Sequence, residues 1–172
     1  ATSCDAAVDY AQHVPVRVIA AMLGVPEDDG DLFRHWIHQA LEDTVRDDEA
    51  GAERFVEISN EMDAYFKRHV EARATPDGSD LISFMMRARF DGRELSERHF
   101  YGTLRLLLIA GIDTTWSSIG AALWHLAKTP ADRDRLAAEP ALMPTAVEEF
   151  LRVYAPVVMA RQIRKDAVLG GC

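Results

Sequence analysis

Leu106-Leu107-Leu108-Ile109-Ala110-Gly111-Ile112-Asp113-Thr114-Thr115-Trp116 decides the reading of this chain. Downstream, Ile119, Ala121, Ala122, Leu123, Trp124 and Leu126 continue the pattern. Apolar residues fall on every side, the sign of a helix buried in a large protein rather than one lying on its surface. Ser96, with Glu97 in the first turn, marks a start, and Thr129-Pro130 marks a stop. The predicted helix runs to Lys128 and is about 50 Å long. Inside it, Gly111, Asp113 and Thr114 break the local rules. A mid-helix Gly costs roughly 0.5–1 kcal/mol against Ala, and a buried carboxylate costs more unless it is paired or hydrated. Such a cluster marks a functional site.

The rest of the chain is read as helical nearly throughout. Pro15 in a first turn and Gly24 past an end bracket a short helix carrying Val16, Val18, Ile19, Met22 and Leu23. Val25-Pro26-Glu27-Asp28-Asp29 turns into a helix from about Leu32 to Thr44, and the acidic run Asp43–Glu49 reads as a solvated loop. Phe55, Ile58, Met62, Tyr65, Phe66 and Val70 recur at helical spacing between Gly51 and about Ala74. Asp80 caps a helix through Arg89, and Asp91-Gly92 turns the chain. Thr129 is expected to cap a helix to Ala138, and another covers roughly Leu142 to Tyr154 before Pro156. Val157-Val158-Met159-Ala160 and Val168-Leu169 are the only strand-like stretches.

Composition narrows the function classes. In 172 residues, 48% are apolar, enough for a sizeable core. A net charge of −9 without any Lys/Arg block argues against a nucleic-acid partner. Arg105, Asp113 and several hydroxyls interrupt the long apolar stretch, so it reads as a core helix and not a membrane span. The two cysteines, Cys4 and Cys172, have neither CxxC nor zinc spacing, which suits a reducing compartment and a cytoplasmic protein. The chain starts at Ala1 and closes on Leu169-Gly170-Gly171-Cys172, which resembles the approach to a tight turn, so a fragment is expected.

Each candidate group has a plain alternative. Gly111 would let something flat approach the helix, or it is a packing glycine at a helix crossing. Thr114 can bond back to the Ala110 carbonyl, which loosens the ladder and admits water, and Asp113 beside it can relay protons. Glu149 and Arg152 share a helix face, with Glu148–Arg152 as the other pairing. A bidentate carboxylate–guanidinium bond is available to them, although an isolated pair of this kind is most often solvent-exposed. Arg161, at the end of an apolar run, suits an anionic ligand group, or it reaches back to water. His35 and His38 lack a third ligand nearby and read as surface residues, while Met85-Met86 and Trp36 read as core or interface. No metal site and no Ser/His/Asp or Cys/His nucleophile assembles.

Taken together, Ala110-Gly111-x-Asp113-Thr114-Thr115, Glu149-x-x-Arg152 and Arg161 resemble the cytochrome P-450 superfamily of haem-thiolate monooxygenases, soluble bacterial type. The flanks agree, in Val18–Pro26, Leu123-Trp124-His125-Leu126 and Ala146–Arg152. The resemblance covers residues 1–172 as a single partial domain. It implies a mainly α fold, the central helical part of that fold, with a small β-sheet starting at the C-terminus. It implies haem as cofactor, O2 and a small organic substrate, and an electron donor of ferredoxin or flavoprotein type, with no nucleic acid and no membrane.

Residue by residue, the resemblance puts Asp113 and Thr114 in proton delivery. Ala110, Gly111 and Arg161 contact haem, Arg161 through a propionate. Glu149 and Arg152 belong to a buried network that supports the haem core. Leu107, Val157, Val158 and Met159 line the substrate pocket. It also implies an axial Cys downstream that is neither Cys172 nor Cys4, and an early helix that this chain lacks. The fragment is therefore expected to be inactive alone. Two other classes fit parts of the pattern: a helical small-molecule-binding module without redox chemistry, and a relative that has lost its haem.

Overall fold

The computed structural model describes residues 3–45, 48–73, 75 and 77–157. Helix α1 (His13–Leu23) ends as its sequence dictates. Gly24 adopts φ 70°, and the Gly24 and Val25 amides turn back to the Ala21 and Ala20 carbonyls at 3.2 and 3.1 Å. A single π-helical turn (Ala7–Ala11) precedes it, and a 3-10 turn (Glu27–Asp29) leads into α2 (Gly30–Val45). Helix α3 (Glu49–Glu71) is capped by Asp48, whose carboxylate accepts from the Gly51 amide at 2.6 Å. The acidic run is therefore not a loop of its own. Its described residues are the last turn of α2 and the cap and first residue of α3, because a carboxylate beside free amide groups is stabilising.

Helix α4 (Leu81–Arg87) is capped by Asp80, and α5 (Glu97–Lys128) by Ser96. Between them β1 (Arg89–Phe90) and β2 (Arg93–Glu94) pair antiparallel, Arg89 opposite Glu94. Asp91 at φ 50° and Gly92 at φ 76° form the two-residue turn of this hairpin. The turn is where the sequence puts it, but these strands carry no hydrophobic alternation and are exposed, which hides them from a pattern search. The expected C-terminal strands fall on Val157, which joins no strand, and on residues outside the described ones. Helix α6 (Pro130–Ala138) has Pro130 in its first turn. Thr129 precedes it without a side-chain cap, its carbonyl serving the Asp132 and Arg133 amides instead. A 3-10 turn (Pro140–Leu142) leads to α7 (Met143–Val153).

The core lies where α1, α2 and α3 gather against the first half of α5. Val16, Leu23, Phe33, Trp36, Ile37, Met62, Tyr65, Phe66, Leu104, Leu108 and Ile112 are buried in it. Burying a side chain of this size contributes roughly 1.5–3 kcal/mol. Two polar bonds tie α3 to α2 and to the turn that leads into it. The Tyr65 hydroxyl donates to Asp29 at 2.6 Å, and the Trp36 indole donates to Glu61 at 3.0 Å. Arg105 of α5 pairs with Asp63 of α3.

Arg73 ties three helix ends together. Its guanidinium donates to the His69 carbonyl at 2.5 Å, to Leu23 and Gly24 at 3.3 and 2.8 Å, and to the Asp80 carboxylate at 3.2 Å. The last carbonyls of α1 have no partner within their own helix, so a cation there is favourable.

Helix α5 differs from its expected setting. Within the described residues only Leu104, Leu108 and Ile112 of α5 are buried, while Leu106 and Trp124 are 64% and 57% exposed. The sequence specifies apolar surroundings on all sides, and the described residues cover one flank. Among those residues α5 is also the one helix long and apolar enough to cross a bilayer, a test that core helices pass equally.

Candidate functional site

The covered flank of α5 contains Gly111. A Cβ built on Gly111 would lie 2.7 Å from Ile19 Cδ1 and 3.3 Å from Ile19 Cγ1. Its missing side chain thus lets α1 cross α5 at close range, the packing alternative raised by the sequence. The direction in which a Gly111 Cβ would point is occupied by Ile19.

The open flank holds Leu107, Ala110 and Thr114, spaced three and four residues apart and so aligned along one face. Ala110 is exposed, and Leu107, Asp113 and Thr114 are half-buried. Asp113 has no hydrogen bond or ion pair among the described residues, so its carboxylate is available. The Thr114 hydroxyl donates to the Ala110 carbonyl at 3.0 Å, as the sequence predicts. Three more bonds of the same kind in α5 escaped prediction, Thr103 to His99 at 2.7 Å, Thr115 to Gly111 at 3.1 Å and Ser118 to Thr114 at 2.8 Å. Hydroxyls returning to carbonyls four residues back compete with the helix ladder and bend it. Even so, α5 stays helical from end to end. With its hydrogen given to Ala110, the Thr114 oxygen keeps free lone pairs as an acceptor.

Glu149 and Arg152 form the bidentate pair, Nε to Oε2 at 2.7 Å and Nη2 to Oε1 at 2.6 Å. The hydrogen bond from Arg152 holds the Glu149 carboxyl below the usual carboxylate range. The pair is not buried, however: the two side chains are 57% and 70% exposed. The implied buried network is absent among the described residues because nothing there packs over this face of α7. Val157 is exposed, whereas Val158, Met159, Arg161 and Cys172 lie outside the described residues. Cys4 is a free, exposed thiol.

Sequence reasoning passed over His125. Its Nε2 meets the Asp132 carboxylate at 2.8 Å and its Nδ1 the Tyr154 hydroxyl at 2.8 Å. Beside it, Leu136, Leu142, Ala146, Glu149 and Phe150 line a cavity of about 400 Å³ at the corner of α5, α6 and α7. One histidine in an apolar helix carries no sequence signal of partners seven and 29 residues away.

Comparison with known proteins fixes the frame for this geometry. The family model described as Cytochrome P450 matches residues 44–172. The putative cytochrome P450 YjiB of Bacillus subtilis is 35% identical over 97% of this chain and 43% of its own length. The vitamin D(3) 25-hydroxylase of Pseudonocardia autotrophica is 37% identical over 88% of this chain and 36% of its own. The ligand-free structure of cytochrome P450 TbtJ1 superposes with a TM-score of 0.82 at 32% identity, covering 97% of this chain and 45% of that one. The chain therefore spans about two-fifths of the length of the curated relatives it matches. On the family match, the helical fold and these relatives together, the chain belongs to the cytochrome P450 family.

Proposed function

We propose that this chain is the central part of a cytoplasmic haem-thiolate monooxygenase. The parent would insert one oxygen atom of O2 into a small organic substrate, with electrons from a ferredoxin- or flavoprotein-type donor. Neither a membrane nor a nucleic acid takes part. One observation carries the reading: in a chain of this family, the flank of α5 left uncovered is the one bearing Leu107, Ala110, Asp113 and Thr114. A relative whose name denotes hydroxylation supports the reaction class.

The residues present fit a flat macrocycle on that flank. Ala110 offers only a methyl group, so a ring can approach the helix closely, and Leu107 extends an apolar wall beside it. Bound there, haem with a cysteine thiolate ligand supplies the electron density that favours O–O cleavage. Asp113, carboxylate unpaired, takes up and passes protons. Thr114 holds a water at its acceptor oxygen, within reach of that carboxylate. Gly111 acts one step removed, by seating α1. Arg161 would hold a haem propionate, and Val157, Val158 and Met159 would border the substrate. Glu149 and Arg152 become the buried support of the haem core once the remainder of the fold covers α7. The cysteine that would ligate haem is neither Cys4 nor Cys172, so the 172 residues alone would not turn over.

The test is Thr114→Ala in the full-length parent. Substrate affinity should hold while product formed per reduced cofactor falls severalfold and peroxide rises to match. Unchanged coupling would remove Thr114 from proton delivery.

A further inference from the structure

Helix α7 carries Glu149 and Arg152, yet none of its described residues is buried. Its ion pair is internal to the helix. Core packing therefore does not hold it in place. Among the described residues the polar contacts that join it to the body are those of His125, near the end of α5, beside an edge-on contact between Trp124 and Tyr154 with centroids 6.2 Å apart. The imidazole meets the Tyr154 hydroxyl, just past the end of α7, at 2.8 Å, and the Asp132 carboxylate of α6 at 2.8 Å. The same ring lies edge-on to Phe150, centroids 5.3 Å apart, and to Tyr154 at 5.7 Å. Tyr154 is itself fixed at the helix end, its amide donating to the Phe150 carbonyl at 2.8 Å.

We propose that His125 is a positioning residue, a three-way latch that docks the Glu149/Arg152 helix onto α5 through Tyr154 and onto α6 through Asp132. Ionised Asp132 only accepts, so Nε2 must carry hydrogen, and in the neutral ring Nδ1 then accepts from Tyr154. The network selects one tautomer and leaves no polar group of the three unmatched at the corner. The cavity beside it explains why a polar latch is needed: apolar contact across that corner is incomplete. The docking claim stands on this geometry alone. Its bearing on haem, through the placement of Glu149 and Arg152, rests on the proposed function.

The experiment is amide hydrogen exchange by mass spectrometry on the 172-residue chain without haem, so a wrong assignment of the cofactor leaves the readout intact. His125→Leu keeps volume and removes both bonds. Exchange over residues 143–154 should rise about tenfold, the effect of losing two ordinary hydrogen bonds, while residues 58–66 and 104–112 stay as protected as before. Gln has a donor and an acceptor spaced like the two ring nitrogens, so His125→Gln should restore most of the protection. Tyr154→Phe, which breaks one bond without disturbing the core, should fall between, and serves if His125→Leu does not fold. Imidazole ¹⁵N spectra at pH 8 should show hydrogen on Nε2. The latch is refuted if exchange in α7 does not change in His125→Leu or Tyr154→Phe, if Gln behaves like Leu, or if the hydrogen sits on Nδ1.

Discussion

Gly111→Ala tests the helix crossing, and two opposing effects set its magnitude. Replacing a mid-helix Gly by Ala stabilises by roughly 0.5–1 kcal/mol, because the unfolded backbone has less freedom to lose. Against this, the new Cβ would sit 2.7 Å from Ile19 Cδ1 and 3.3 Å from Cγ1. The first distance is too short to survive, and Ile19 is only 8% exposed, so it has little room to swing aside. Overpacking a core contact costs typically about 1–3 kcal/mol. The net expectation is a destabilisation of about 1 kcal/mol.

Ile19→Val separates the two contributions, since valine lacks the offending Cδ1. Alone it should cost about 0.5–1.5 kcal/mol as a buried methyl deletion. In that background Gly111→Ala should reverse sign and stabilise, leaving a coupling of about 1–2 kcal/mol in the double-mutant cycle. Urea unfolding followed by helical circular dichroism reads all four proteins. Were Gly111→Ala to stabilise the unaltered chain by the full propensity gain, α1 would not be seated where the structure has it. Gly111 would then return to the open flank as a candidate for ligand approach.

Two further outcomes concern the charged groups. Burial raises the Asp80 carboxyl, but bonds from the Ser83 amide and hydroxyl and the Arg73 charge outweigh it and leave it below its ordinary value. A depressed folded value means stability present above the unfolded carboxylate range and lost as pH falls through the folded value. Asp80→Asn should therefore lower the unfolding free energy from urea titration at pH 7 by roughly 1–3 kcal/mol, and flatten its fall below about pH 4; an acid limb of unchanged slope would refute this. Arg152→Ala should leave the thermal midpoint of the 172-residue chain within error, because the pair it breaks stands in solvent. In the full-length parent the same change should abolish haem loading, and soluble, fully loaded Arg152→Ala protein would show that the pair stays exposed there too.

Features that act locally were legible in the sequence. Pro15 and Gly24 bracket α1, Ser96 and Asp80 cap their helices, and Thr114 bonds back four residues, all by interactions within a turn or two. Errors arose where a local signal has two uses. A run of carboxylates reads as a solvated loop, yet Asp48 caps α3. Glycine in a helix reads equally as room for a ligand or as a helix crossing, and the contact of Gly111 with Ile19, which shows the crossing, lies 92 residues away along the chain. The hairpin at Arg89–Glu94 is held by backbone pairing and a turn, with no apolar face to announce it. His125 and Arg73 draw their partners from distant segments, and no spacing rule reaches that far. The family motifs, by contrast, were readable because their order and separation are sequence properties in themselves.

Arg73 has a consequence for the order of assembly. The carbonyls it serves at Leu23 and Gly24 are 50 and 49 residues away along the chain. Until that distance is closed, the last turn of α1 has no cation and must rely on water. Helix α1 can therefore form early and stop at Gly24 from its own sequence, but its Leu23 and Gly24 carbonyls gain the Arg73 guanidinium only after α3 has folded and returned alongside it. During synthesis this couples the two helices through time: a nascent chain that has emerged through Glu71 holds every residue of α1 and α3, yet their joint closes only when the next two residues clear the exit.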